Sequence, residues 1–287
     1  MSRLTVPKTY KLFIGGKFPR SESGHTFEVS TPKGEFLANA AAASRKDARD
    51  AVVAARGAFP GWSGATAYNR GQVLYRVAEV LEGRAEQFVE EIRQSEGVSA
   101  RAARTQVENS IDTWVWYAGF ADKYAQVAGN GNPVSGPYFN LSPPDPMGVV
   151  VALCPQGPSG QSLLGLSASV APIVASGNTV VAVSHASQPL SAISAAEVFA
   201  TSDVPGGVIN VLTGNPAGIM PWMASHADVN GLDLAGADKE SAREWEKVAA
   251  QTLKRVQGSS NGIPAPSLHR ITAFVETKTV WHTQALG

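Results

Sequence analysis

A single cysteine, Cys154, stands in a chain of 287 residues, so no internal disulfide can form and the familiar cysteine-rich zinc sites are excluded. One unpaired thiol fits a reducing compartment, and a cytoplasmic protein is expected. The five histidines, His25, His185, His226, His269 and His282, lie far apart without an HExxH between them, so no metal site is expected. Charge of one sign is missing too. Twenty-four basic residues balance 24 acidic ones, leaving no global field to draw nucleic acid or an anionic membrane. No apolar run approaches the roughly 20 residues that span a bilayer, and the opening MSRLTVPKTYKLFIGG lacks the apolar core of a secretion signal. What is present is 44% hydrophobic residues, in a chain long enough for one large domain or a domain with an appendage.

The pattern changes character along the chain. From Tyr10 to about Ala43, alternating stretches (YKLFIGGKF, HTFEVSTP) broken by glycine and proline predict a small β layer of hairpin strands. Ser44 is placed to cap a helix over RKDARDAVVAARGAFPGW, and longer helical segments follow over roughly 68–96 and 100–128. Leu74, Val77, Ala78, Leu81, Phe88 and Ile92 recur at three-to-four spacing, which predicts one apolar face. Trp114, Trp116 and Tyr117 within the next helix are expected in the core.

From Met147 to about Val256 the runs GVVVALC, GNTVVAVS, GVINVLTG and NGLDLAG are each followed by a loop and a helical stretch. Continuous Val/Leu/Ile runs alternating with helices predict a mainly parallel, doubly wound α/β sheet covered on both faces. Ligands of such sheets bind beyond the carboxyl ends of strands, here near CPQGPS, SHAS and TGNPAG. The loop GSSNGIPAPS then leads to HRITAFVETKTVW, rich in strand formers, and GPYFNLSPPDP at 136–146 is its expected strand mate, with prolines suited to an edge.

Together these segments resemble the NAD(P)-dependent aldehyde dehydrogenase superfamily. LFIGGKF, FEVSTPKGEFLANAAAASRKDARDAVVAARGAFPGW, PMGVVVALCP, VAPIVASGNTVVAV, QPLSA, VPGGVINVLTG and HADVNGL follow one another in that family's order. The resemblance implies a Rossmann-like NAD-binding-type domain over 1–135 and 147–260 and a β oligomerisation arm over 136–146 and 265–287, with the catalytic domain absent. The arm residues it implies are Tyr138, Asn140, Ile271, Ala273, Phe274, Val275, Thr277, Val280 and Trp281.

Position by position, the resemblance implies lost chemistry. The family's nucleophilic cysteine belongs to the absent domain, and Cys154 instead adjoins the family's Pro-Trp-Asn loop, where Pro155, Gln156 and Gly157 stand; Gly157 has no side chain to donate to an oxyanion. Where the family grips ribose with Lys-Pro-(Ser/Ala)-Glu, the chain has Val183, Ser184, His185 and Ala186. Where a serine meets the pyrophosphate, it reads Leu234, Ala235, Gly236, Ala237 and Asp238, and an aspartate at a helix start repels phosphate. Gln257, Gly258 and Ser259 replace the stretch with the general-base glutamate. Pro155, Ser184, Gly214 and Gly236 remain as vestigial cofactor contacts, no catalytic residue is assigned, and no cofactor is expected beyond weak NAD(P) binding.

Read as residues, Cys154 is a small apolar filler, His185 a surface imidazole, and TGNPAG and QGPSG turns whose prolines remove backbone donors. The leading expectation is a non-catalytic subunit assembling with itself or with a full-length aldehyde dehydrogenase, through an apolar face that a partner covers. An oxidoreductase with an unrecognised site and a nucleotide-binding module without chemistry are the alternatives.

Overall fold

The computed structural model describes residues 6–157, 160–184, 187–260 and 262–284. Strands β1 (Thr26–Ser30) and β2 (Phe36–Ala41) form the expected antiparallel hairpin. The YKLFIGGKF stretch makes isolated bridges only: Tyr10 meets Ala40, Phe13 meets Val211, and Ile14 meets Lys17 around Gly15 and Gly16, both at positive φ.

Helix α1 (Arg45–Gly64) starts as the sequence predicts. The Ser44 hydroxyl accepts from the Asp47 amide at 3.2 Å, and the Asp47 carboxylate accepts from the Ser44 amide at 2.8 Å, a reciprocal capping box. The long helix expected over 68–96 is two, α2 (Ala67–Gly83) and α3 (Ala85–Glu96), parted at Arg84 directly after Gly83. All six residues of its apolar stripe are buried. The next segment also divides, into α4 (Ala100–Phe120) and α5 (Tyr124–Ala128); Trp114 and Tyr117 are core, whereas Trp116 is only half-buried.

A short β3 (Asn130–Gly131) precedes β4 (Tyr138–Ser142) and β5 (Pro144–Pro146). The parallel sheet then builds from β6 (Val149–Leu153), α6 (Ser162–Ala175), β7 (Thr179–Val183), α7 (Leu190–Ala200) and β8 (Ile209–Leu212). It continues through α8 (Met220–Ser225), β9 (Gly231–Asp233), α9 (Lys239–Ala250) and β10 (Arg255–Gln257). Strand order is β10-β9-β6-β7-β8, all parallel. The chain therefore winds outward from β6 in one direction, returns, and winds outward in the other. Burial explains the continuous apolar run of β6: Val149, Val151 and Leu153 face one core, Val150, Ala152 and Cys154 the other.

The C-terminal stretch corrects the expected strand. Residues Leu268–Thr272 form a short helix, α10, capped by the Ser267 hydroxyl. Ile271, Ala273 and Phe274 are buried in the chain's own core, so they cannot meet a partner as arm residues. β-Branched and aromatic content marks residues that pack, and here the packing is done by a helix and its end. Beyond them β11 (Val275–Thr277) pairs antiparallel with β5, and β12 (Val280–Thr283) with β4. Strand β4 lies between β12 and β3 in a three-stranded sheet.

Candidate functional site

The winding reverses between β6 and β9, so the crevice beyond their carboxyl ends is the place where such a sheet holds a ligand. A cleft of about 220 Å³ lies there, between Leu153 at the end of β6, Asn215–Ala217 after β8, Gly236–Asp238 after β9, and Ser241 and Trp245 of α9. Gly236 is required by close approach. Its amide donates to the Leu153 carbonyl at 2.9 Å, and a Cβ would collide with the Leu153 and Cys154 carbonyls. Gly214 turns the chain out of β8 at φ +120°, against the backbone of Ala42 and Ala43.

Asp238 dominates the electrostatics of the cleft. As N-cap of α9, its carboxylate accepts from the amides of Glu240 at 3.0 Å and Ser241 at 2.9 Å. Those bonds hold its carboxyl below the usual aspartate range, with the Ser241 amide contributing most. The positive end of α9 is thus already neutralised by a fixed negative charge. A dinucleotide diphosphate does not fit this helix start, because it would meet the carboxylate rather than free amides.

The helix after β6 is closed in the same way. Glu96, the last residue of α3, accepts from the Gln161 amide at 2.9 Å, the Ser162 amide at 3.0 Å, the Ser162 hydroxyl at 2.8 Å and the Gln106 side-chain amide at 2.8 Å. The amides that open α6 are therefore taken by this buried carboxylate. Sequence reading missed Glu96. Its one signal is a glutamate in the last turn of a helix, where the dipole disfavours a negative charge unless donors arrive from elsewhere.

The remaining positions fall apart. Pro155 and Ser184 are buried and do not line the cleft; the Ser184 hydroxyl has no partner among the described residues. His185, Ala186, Pro158 and Ser159 lie outside the described residues. The Gln156 side chain bonds to that of Gln188 at 3.3 Å, and Gly157 exchanges backbone bonds with Gly160 at 2.8 and 3.1 Å. Cys154 is 2% exposed, and burial, with the charge of Asp233 adding to it, pushes its thiol far above the ordinary value. A nucleophile needs the thiolate, and this site opposes it. Among the described residues no cluster of His, Cys, Asp and Glu could hold a metal ion, and no helix is long and apolar enough to cross a membrane.

Comparison with known proteins agrees with the fold. Residues 18–262 match the aldehyde dehydrogenase family. Cytosolic 10-formyltetrahydrofolate dehydrogenase of Mus musculus is 30% identical over 264 residues, which cover 89% of this chain and 29% of that protein. An aldehyde dehydrogenase of Emericella nidulans is 31% identical over 272 residues, covering 94% of this chain and 53% of that one. The crystal structure of PnpE from Pseudomonas sp. WBC-3 superposes with a TM-score of 0.82 at 29% identity, over 87% of this chain and 50% of that chain; PnpE has also been solved with nicotinamide adenine dinucleotide. The chain spans about half the length of these relatives, or less. With a doubly wound sheet, a switch-point cleft and a family match over most of its length, the chain belongs to the aldehyde dehydrogenase family.

Proposed function

We propose that this chain is a non-catalytic member of the family that acts through assembly, joining copies of itself or a full-length aldehyde dehydrogenase and stabilising or regulating the oligomer. The observation that carries the reading is Asp238, a carboxylate fixed at the helix start of the switch-point cleft where a diphosphate would sit. Three further features point the same way. Cys154 is buried as a thiol. Only ten residues, 258–267, separate β10 from the C-terminal helix, and Gln257, Gly258 and Ser259 stand where the resemblance places the stretch with the general-base glutamate. The small sheet exposes Tyr138, Phe139, Leu141 and Trp281, a density of apolar surface that monomers seldom leave open. A cytoplasmic setting suits the single unpaired cysteine.

A nucleotide-binding role without chemistry is the second reading, favoured by the cleft of about 220 Å³ at the switch point. Calorimetry with NAD+ separates the two. The first predicts dissociation weaker than about 1 mM for the wild type and measurable tightening in Asp238→Ser, which keeps a capping oxygen and removes the charge. Wild-type binding tighter than about 0.1 mM would replace the first reading with the second. Light scattering tests the assembly directly: a stable lone monomer at micromolar concentration, together with failure to co-purify with a full-length dehydrogenase, overturns it. Aldehyde oxidation that disappears in Cys154→Ala would restore an enzyme.

A further inference from the structure

We propose that Asn130 is a site of self-modification: in the folded chain its side-chain amide is converted to isoaspartate or aspartate through a cyclic imide closed by the Gly131 amide, and the isoaspartate releases β3 from β4. The reaction needs an exposed asparagine with an uncommitted side chain, and after it a residue that has an N–H and no side chain in the way. The sequence offers Asn-Gly at 130–131, 230–231 and 261–262, and residue 261 lies outside the described residues.

The fold separates the other two pairs. Asn130 and Gly131 are both exposed, and the Asn130 side chain makes no hydrogen bond among the described residues. The Asn132 amide donates to the Asn140 carbonyl at 2.9 Å, so residues 132 and 140 are a hydrogen-bonded pair of the antiparallel ladder, and by alternation so are 130 and 142. Gly131, opposite Leu141, falls between them, and its N–H points off the outer edge of β3, the last strand of its sheet. A strand of two residues at an edge opens locally at little cost. Asn230 is the counterexample. Its side-chain oxygen accepts from the Val149 amide at 3.1 Å and from Arg56, while Gly231 is buried in β9 between β6 and β10. Asn132 is followed by Pro133, which has no N–H to close a ring.

The atoms balance with water as the only co-reactant. The Gly131 nitrogen bonds to the Asn130 Cγ, and its proton leaves with the side-chain nitrogen as ammonia. Water then opens the cyclic imide. Addition at Cγ yields aspartate, addition at the main-chain carbonyl carbon yields isoaspartate, and in both a carboxylate replaces the amide without change of oxidation state. Isoaspartate lengthens the main chain by one methylene. The pairing of residue 130 with 142 and that of 132 with 140 then fall out of step, and the bonds from the Asn132 side chain to Asn140 and to Ser142 at 2.7 Å go with them. Strand β4 is left as an edge with unpaired backbone groups.

The test incubates the full chain at physiological temperature and neutral pH, folded and in urea, and follows peptic peptides by mass spectrometry with fragmentation that distinguishes isoaspartate from aspartate. In the folded chain Asn130 should convert at least about tenfold faster than Asn230, and in urea the two rates should agree within about threefold, because only the fold protects Asn230. Gly131→Ala places a Cβ no closer than 4.0 Å to Leu141, so it should fold as the wild type does and slow conversion at Asn130 by about tenfold or more. Amide hydrogen exchange in 138–142 should speed up by about tenfold or more in the isoaspartate-containing wild type and stay unchanged in Gly131→Ala incubated alongside it. Equal rates at Asn130 and Asn230 in the folded chain, or an Asn130 that stays intact while the chain in urea converts, overturns the site. Unchanged exchange in the isoaspartate form overturns the release of β3.

Discussion

Residues 268–274 and 275–283 adjoin in sequence, share a composition of β-branched and aromatic residues, and have opposite fates. The first stretch is a capped helical turn sunk into the core, with Ile271 and Phe274 almost fully buried. The second is a pair of short strands with Trp281 58% exposed. The difference lies in what each meets. Phe274 lies over Gly231 of β9, where any Cβ would strike its ring, and its carbonyl accepts from Asn178 at 2.8 Å. Trp281 meets Tyr138 edge to face at 5.8 Å, on a three-stranded sheet where its side chain stays mostly in water. An exposed sheet and a core segment are thus built from the same residue types, and only the neighbours separate them.

The largest test of that contrast breaks the anchor of the buried half. Arg270 pairs with Asp233 at 2.5 Å, with exposures of 9% and 0% for the two side chains. Removing one partner leaves an uncompensated buried charge, so Arg270→Met should lower unfolding stability by about 3–5 kcal/mol in urea. Asp233→Leu combined with Arg270→Met should recover much of that loss. A loss below about 1 kcal/mol for the single variant would mean that 268–274 is not anchored as described.

Tyr117 gives a second handle on the same anchor. Burial, the leading cause, pushes its hydroxyl from 10.0 up to about 12, with Asp233 adding to the rise while Ser267 and Arg270 oppose it. A raised value in the folded state means that its contribution is full below the unfolded value and is lost as pH rises through the folded one. A rise from 10.0 to about 12 corresponds to roughly 3 kcal/mol. Urea midpoints of the wild type should therefore fall more steeply between roughly pH 10 and 12 than those of Tyr117→Phe. Parallel slopes would remove Tyr117 from the account.

These contrasts also mark how much was legible beforehand. The strands of the parallel sheet are readable because burial on both faces makes Val149–Leu153 and Thr179–Val183 continuous apolar runs. Strand β10 is not, since Arg255–Gln257 is half-buried at an edge and carries no such run. The Ser44 and Asp238 caps are local chemistry and show in the sequence. Glu96 is not local: its donors sit at Gln106, Gln161 and Ser162, and only the fold brings them together. The break at Arg84 is announced only by Gly83, a weak signal because an isolated glycine is also tolerated inside a helix. Ile271 and Phe274 read as strand because propensity records a liking for packed surfaces, and tertiary contacts decided which surface.

The smallest expected effect lies at Trp281. With its side chain mostly in water, Trp281→Ser should change the unfolding stability of a dilute single chain by less than about 0.5 kcal/mol, against several for a fully buried aromatic such as Phe274. Stability alone would then call the residue unimportant. If the sheet is an assembly surface, the same substitution should shift the concentration at which light scattering reports oligomers upward by about tenfold or more, because exposed tryptophan anchors are the residue type that dominates interface energetics. The two measurements must separate for the contrast to hold. A substitution that weakens folding and association equally would make Trp281 a second Phe274, and one that changes neither would leave the exposed aromatic face without a role in assembly.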